Sequence, residues 1–140
     1  MSNDIPPAVF KFVEHELYNY NDTKEALEDL KEDIAKGSIG NMTYDNFSST
    51  ETYPEGSTTE AAFSEIIQNK VAKRMSNTIK YIDRALNKLD EQKLRLYYLK
   101  YRKEKSWQNI VATMDISQAT FFRWRKDIVK IVAREMGLLQ

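Results

Sequence analysis

Apolar positions recur at steps of three and four along most of the chain, which predicts a succession of helices. In PPAVFKFVEHELY, residues 6–18, Val9, Phe10, Val13 and Leu17 share one side, behind prolines that a first helical turn tolerates. Asn19-Tyr-Asn-Asp22 interrupts this pattern, because Asn and Asp side chains compete for nearby backbone groups. Asp22 is then placed to cap a second helix through Ala35, with Ala26, Leu27, Leu30 and Ile34 on one side and Gly37 as its stop. Over residues 37–58 the periodicity fails. GSIGNMTYDNFSSTETYPEGST holds three of the four glycines, a proline and many Ser, Thr and Asn, so it reads as a polar flexible linker from which Tyr44, Phe47 and Tyr53 are available to dock.

Beyond the linker, Thr58 or Thr59 can cap a long helix to about Leu86. Ala62, Phe63, Ile66, Ile67, Val71, Met75, Ile79, Ile82 and Leu86 form its apolar stripe. A stripe of that length needs partners from the same chain or from a second copy. Asp90 is the expected cap of the next helix, with Leu94, Tyr97, Tyr98 and Tyr101 along one side. The segment from Ser106 then has the form of a short helix with Trp107, Ile110 and Val111 facing inward. Met114-Asp-Ile116 makes a tight connection, and Ser117 caps the last helix. This is a helix-turn-helix pattern at about 106–136. It departs from the common form at Asp115, where glycine would tolerate a left-handed backbone better.

The last helix, from Gln118, sorts into two faces. At about 100° per residue, Trp124, Arg125, Ile128 and Val132 fall on the side of Phe121, and Ala119, Phe122, Arg123, Lys126 and Lys130 fall on the other. The first side is expected in the core, with Arg125 reaching out from its margin. The second is cationic and begins with small or polar residues, as the leading end of a recognition helix must if it approaches base edges in a major groove. Gln118 suits adenine, Arg123 suits guanine, Phe122 suits a thymine methyl, and Ala119 and Thr120 share that leading end. Phe122 fits a neighbouring helix or a dimer partner equally well. Ser117, Lys126 and Lys130, with Arg102, Lys103 and Lys105 just before the motif, are candidates for phosphates; a solvated helix end would carry the same cations.

Charge sharpens the picture. The formal net charge is zero, yet residues 1–60 hold 4 Lys+Arg against 13 Asp+Glu, or −9, and residues 61–140 hold 17 against 8, or +9. An acidic region beside a basic one suggests that the basic part meets a polyanion. With 41% apolar and 30% charged residues, the 140-residue chain can fill one principal core and keep a solvated exterior. It has no run of eighteen apolar residues and no basic, apolar start of the secretory kind, so neither a membrane span nor export is expected, and the cytoplasm is the expected compartment. The absence of cysteine removes disulfides, thiolate metal sites and cysteine nucleophiles. His15, the sole histidine, has no second histidine one turn away, no glycine-rich phosphate loop occurs, and Glu28, Asp29, Glu32 and Asp33 read as a solvated helix face. Catalysis, cofactors and bound metals are therefore not expected.

The acidic helical opening, the polar gap, the long helix, YYLKYRKEKSWQNIVATMDIS and the terminal helix ending AREMG together resemble phage late-gene transcriptional activators of the RinA/ArpU type. Residues 89–136 are also similar to the promoter-reading region 4 of sigma factors. The resemblance implies sequence-specific binding to double-stranded promoter DNA in a bacterial host, upstream of structural, packaging or lysis genes, with recruitment of host RNA polymerase. The expected architecture is all-α, with an acidic N-terminal helical hairpin (1–36), the polar linker (37–58) and a helical DNA-binding domain (59–140) that leaves room for a homodimer. The competing reading is a small terminase subunit, or another DNA-packaging component, which also joins a helix-turn-helix to helical oligomerisation elements. A purely protein-binding helical module is a third, and it predicts no salt-dependent attraction to a duplex.

Overall fold

The structure, a computed structural model, describes the backbone of residues 4–48 and 55–140 and the side chains of residues 4–36 and 64–140. It is all-α, with no strand among the described residues: α1 Pro7–Tyr18, α2 Tyr20–Ser48, α3 Glu55–Asn87, α4 Glu91–Tyr97, a π-helical segment Tyr98–Arg102, α5 Trp107–Met114 and α6 Gln118–Glu135. Residues 1–21 and 78–140 form one compact unit and residues 22–77 a second.

The first unit holds the core. Val13 and Leu17 of α1, Ile79, Ile82 and Ala85 of α3, Leu96 and Tyr97 of α4, Tyr101, Ile110 of α5, and Phe121, Ile128, Val129, Val132 and Ala133 of α6 pack into one buried cluster with Ile5 and Tyr20. The stripes expected for α1, the last turns of α3, α5 and α6 thus converge. α1 packs against α6 and the π segment. α1 belongs to the unit that contains the helix-turn-helix, and α2 from Asp22 onward belongs to the other. The apolar side of α1 does not specify which helix covers it; packing on α6 does.

In the second unit, Leu27 is buried and Ala26, Leu30 and Ile34 are half-buried, as the spacing predicts. Three boundaries differ from expectation. Asn19 alone separates α1 from α2, its amide donating to the His15 carbonyl at 2.8 Å, so Asp22 lies in the first turn of α2 and does not cap it. Gly37 does not stop α2 either, because the backbone stays helical to Ser48. Glycine inside a helix costs about 1 kcal/mol relative to alanine and permits a left-handed stop without enforcing one. α3 likewise begins at Glu55, ahead of Thr58 and Thr59. Of the expected linker, residues 49–54 lie outside the described residues, as do the side chains of Tyr44, Phe47, Tyr53, Ala62 and Phe63. Ile66 and Ile67, in the first half of the α3 stripe, are 51% and 43% exposed.

Local capping follows the sequence closely. The Asp90 carboxylate accepts from the Lys93 amide at 2.8 Å to start α4, and Lys93 in turn pairs with Asp127 of α6 at 3.2 Å. The side of α4 that turns inward is corrected. Leu96, Tyr97 and Tyr101 are buried, whereas Leu94 and Tyr98 are 41% and 47% exposed. Tyrosine carries an apolar ring and a polar hydroxyl, so a run of tyrosines does not specify the buried side by periodicity alone. The π segment changes the geometry further: in an α-helix residues i and i+5 do not face each other, yet Arg102 Nε donates to the Tyr97 hydroxyl at 2.8 Å across the widened turn.

α5 ends on Asp115, held left-handed at φ 56° and ψ 52°, and the Ile116 amide donates back to the Val111 carbonyl at 3.2 Å. α6 ends in the same way at Gly137, φ 79°, where the Leu138 amide donates to the Ala133 carbonyl at 2.8 Å. Asp115 bears both the left-handed strain of a side-chain-bearing residue and a negative charge at the negative end of a helix dipole. Asp115→Asn and Asp115→Gly are each expected to stabilise the chain by about 0.5–1 kcal/mol, and thermal melts of the two variants against the parent chain check this.

Candidate nucleic-acid interface

α5, the Asp115 turn and α6 form a helix-turn-helix whose parts are fixed from both sides. The Ser106 hydroxyl accepts from the Asn109 amide at 3.1 Å and starts α5. Ser117 does the same for α6, accepting from the Thr120 amide at 3.0 Å and donating to the Thr120 hydroxyl at 2.9 Å. Phe121, Ile128, Val129 and Val132 are buried on the inner side of α6. Trp124, expected in the core with Phe121 and Ile128, packs against it but stays half-buried.

The other side of α6 is open along its leading end. Gln118, Ala119 and Arg123 are exposed, Thr120 is half-buried, and Phe122 keeps 37% of its surface in solvent. Arg123 makes no ion pair or hydrogen bond among the described residues, so its guanidinium is available. Phe122 lies edge-on to Phe121 at 5.0 Å between ring centroids and beside Trp107 at 5.9 Å. That second contact brings the start of α5, with exposed Lys105 two residues before Trp107, next to the outer face of α6.

The cations expected at phosphates divide into two groups. Lys103 and Lys105 are exposed, with the Lys103 ammonium 5.5 Å from the Tyr98 ring centre, and half-buried Lys130 projects from α6. Arg102 is drawn inward: its guanidinium lies 4.3 Å from the centre of the Tyr20 ring and its Nε donates to Tyr97. The Ser117 hydroxyl is likewise committed to the cap of α6. Lys126 is held by Asp4, Nζ to Oδ1 at 2.6 Å.

Glu14 and Lys100, which spacing did not single out, sit where α1 meets α6 and the π segment. The Glu14 carboxylate accepts from Arg125 through both oxygens, at 3.1 and 3.4 Å, and from the Tyr101 hydroxyl at 2.6 Å, with the Lys100 ammonium 3.9 Å away. The Arg125 guanidinium also covers the Phe10 ring at 4.7 Å. Arg125 therefore does mark the margin of the core, and it is occupied there. Elsewhere in the core, Tyr20 donates to Asp83 at 2.6 Å, and burial, then that carboxylate, push its phenol up to about 12. Burial and the neighbouring Glu14 raise Tyr101 well above the ordinary tyrosine range, while burial raises Tyr97 against the opposing pull of Arg102. The Tyr20 and Tyr101 hydroxyls donate to carboxylates, and the Tyr97 hydroxyl accepts from Arg102. Exposed His15 lies 3.5 Å from Glu16 on the outside of α1. Among the described residues, no group of three or more His, Asp or Glu gathers as a metal site would require.

A family model described as a protein of unknown function, DUF722, matches residues 14–134. The chain belongs to the DUF722 family. No curated protein and no solved structure matches it. The DUF722 match opens at Glu14, the carboxylate that binds Arg125, and closes at Arg134 in the last turn of α6, so it takes in α5, the Asp115 turn and all but the last residue of α6, together with residues 22–77. Its description carries no activity. No helix among the described residues is long and apolar enough to cross a membrane.

Proposed function

We propose that this DUF722 protein is a sequence-specific DNA-binding transcriptional regulator that inserts α6 into the major groove of promoter DNA. One observation carries the reading. The helix that follows the Asp115 turn buries Phe121, Ile128 and Val132 and leaves Gln118, Ala119, Phe122 and Arg123 exposed at its leading end. An exposed amide, a small side chain, an aromatic edge and an unpaired guanidinium within six residues suit base edges, because they offer bidentate hydrogen bonding and a surface for a thymine methyl. Lys103, Lys105, Lys126 and Lys130 would neutralise phosphates around that helix and fix its register. The resemblance to phage late-gene activators of the RinA/ArpU type extends the proposal to late promoters and to contact with host RNA polymerase.

The test is titration of the purified chain with random and selected duplexes over a range of salt. Four phosphate contacts predict that log K falls against log salt with a slope of about −3 to −4. A selected duplex should bind at least about 10³-fold more tightly than random sequence. No attraction to any duplex at low ionic strength would overturn the proposal, and equal affinity for all sequences would remove base reading from it.

A further inference from the structure

The segment in front of α1 is tethered against the outer face of α6. Ile5 is 8% exposed and belongs to the core cluster, and Pro6 and Pro7 lead directly into α1, where the Phe10 amide donates to the Pro6 carbonyl at 3.0 Å. With Val13 and Leu17 buried in the same core, α1 and Ile5 together fix where Asp4 stands. Its carboxylate reaches the Lys126 ammonium at 2.6 Å, and Lys130, one helical turn further along α6, adds to the positive field around it. Both lysines are among those that would meet phosphates.

We propose that Asp4 occupies, within the chain, the place of a DNA phosphate: the segment Asp4–Pro6 holds a carboxylate on Lys126 and beside Lys130, and a duplex phosphate must displace it to engage α6. The inference rests on the DNA-binding reading of α6. Two features suit a competitor better than a lock. The side chain of Asp4 is 82% exposed and that of Lys126 43%, so the pair is solvated and readily exchanged. Burial of Ile5 has already localised the carboxylate, so the pair forms at high effective concentration even though each contact is weak. Acidic charge at the start of the chain thereby lowers non-specific affinity, and a site with enough base contacts overcomes it.

The experiment compares the full-length chain with Asp4→Asn, Lys126→Gln, the double variant and Glu25→Gln, an exposed carboxylate on α2 that gives the same change in net charge. Duplex affinity is read by fluorescence anisotropy over a salt series, and circular dichroism verifies folding. Asp4→Asn should bind random duplex about two- to fivefold more tightly at low salt, because Lys126 no longer has to exchange a carboxylate for a phosphate. Glu25→Gln should give a smaller gain, and in the Lys126→Gln background the effect of Asp4→Asn should fall away. Unchanged affinity in Asp4→Asn, a gain no larger than that of Glu25→Gln, or a gain that persists without Lys126 overturns the inference while leaving DNA binding in place. Absence of duplex binding by every variant overturns both.

Discussion

Replacing Phe121 by alanine is expected to lower the stability of the unit formed by residues 1–21 and 78–140 by about 3–5 kcal/mol, a large share of what a domain of this size possesses. Phe121 is 1% exposed and stands in the first turn of α6, directly after the Ser117 cap. Its ring fills core space beside Ile110 and Ile128, which are themselves fully buried, so truncation leaves a cavity that the surrounding helices cannot close without losing the register of α6. The same substitution at Phe122, one residue on and 37% exposed, should cost less than about 1 kcal/mol and should instead weaken duplex binding. Half-buried Trp124 belongs between the two, at about 1–3 kcal/mol. Urea denaturation followed by tryptophan fluorescence measures this series, since both tryptophans, Trp107 and Trp124, lie in α5 and α6. A Phe121→Ala chain that unfolded at the parental midpoint would mean that α6 does not present this side to the core.

Arg123→Ala should leave the fold intact and reduce discrimination at one base pair by about 1–3 kcal/mol, or roughly five- to 150-fold. The guanidinium is exposed and has no partner among the described residues, so its removal strands no buried group and stability should change by less than about 0.5 kcal/mol. Lys126→Ala provides the contrast. A lysine on phosphate should lose affinity evenly across sequences and flatten the salt dependence by about one. Binding selections with randomised duplexes, run on both variants, separate these outcomes: a relaxed preference at a single position identifies Arg123 as a base reader, and a uniform loss assigns it to phosphate.

Both predictions depend on which features a linear reading could reach. The spacing of Val9, Phe10, Val13 and Leu17, the caps at Asp90 and Ser117, the connection at Met114-Asp-Ile116 and the two-sided character of α6 were all legible, because each is decided within about one or two helical turns. A hydroxyl or carboxylate three residues ahead of an orphan amide, or an apolar side chain every third or fourth position, acts through neighbours in the chain. The inner side of α4 was not legible, since Tyr97, Tyr98 and Tyr101 satisfy either register until Leu96 meets the core and the π turn brings Arg102 back to Tyr97. Nor was the continuation of α2 past Gly37, because a glycine allows a helix to stop without requiring it to.

The sequence by itself therefore determined an all-helical chain, its acidic and basic halves, and the helix-turn-helix with its exposed cationic face. Only the tertiary structure decided what surrounds that face. Glu14 and Arg125 are 111 residues apart in the chain, Asp4 and Lys126 are 122 apart, and Arg102 meets Tyr20 across the core. The physical reason is that a charged side chain on a helix surface carries no local mark of its partner. Any of the chain's many carboxylates is chemically suited to Arg125 or Lys126, and the choice is made by the burial of Ile5, Val13 and Leu17, which sets α1 against α6 and brings Glu14 and Asp4 to those two cations.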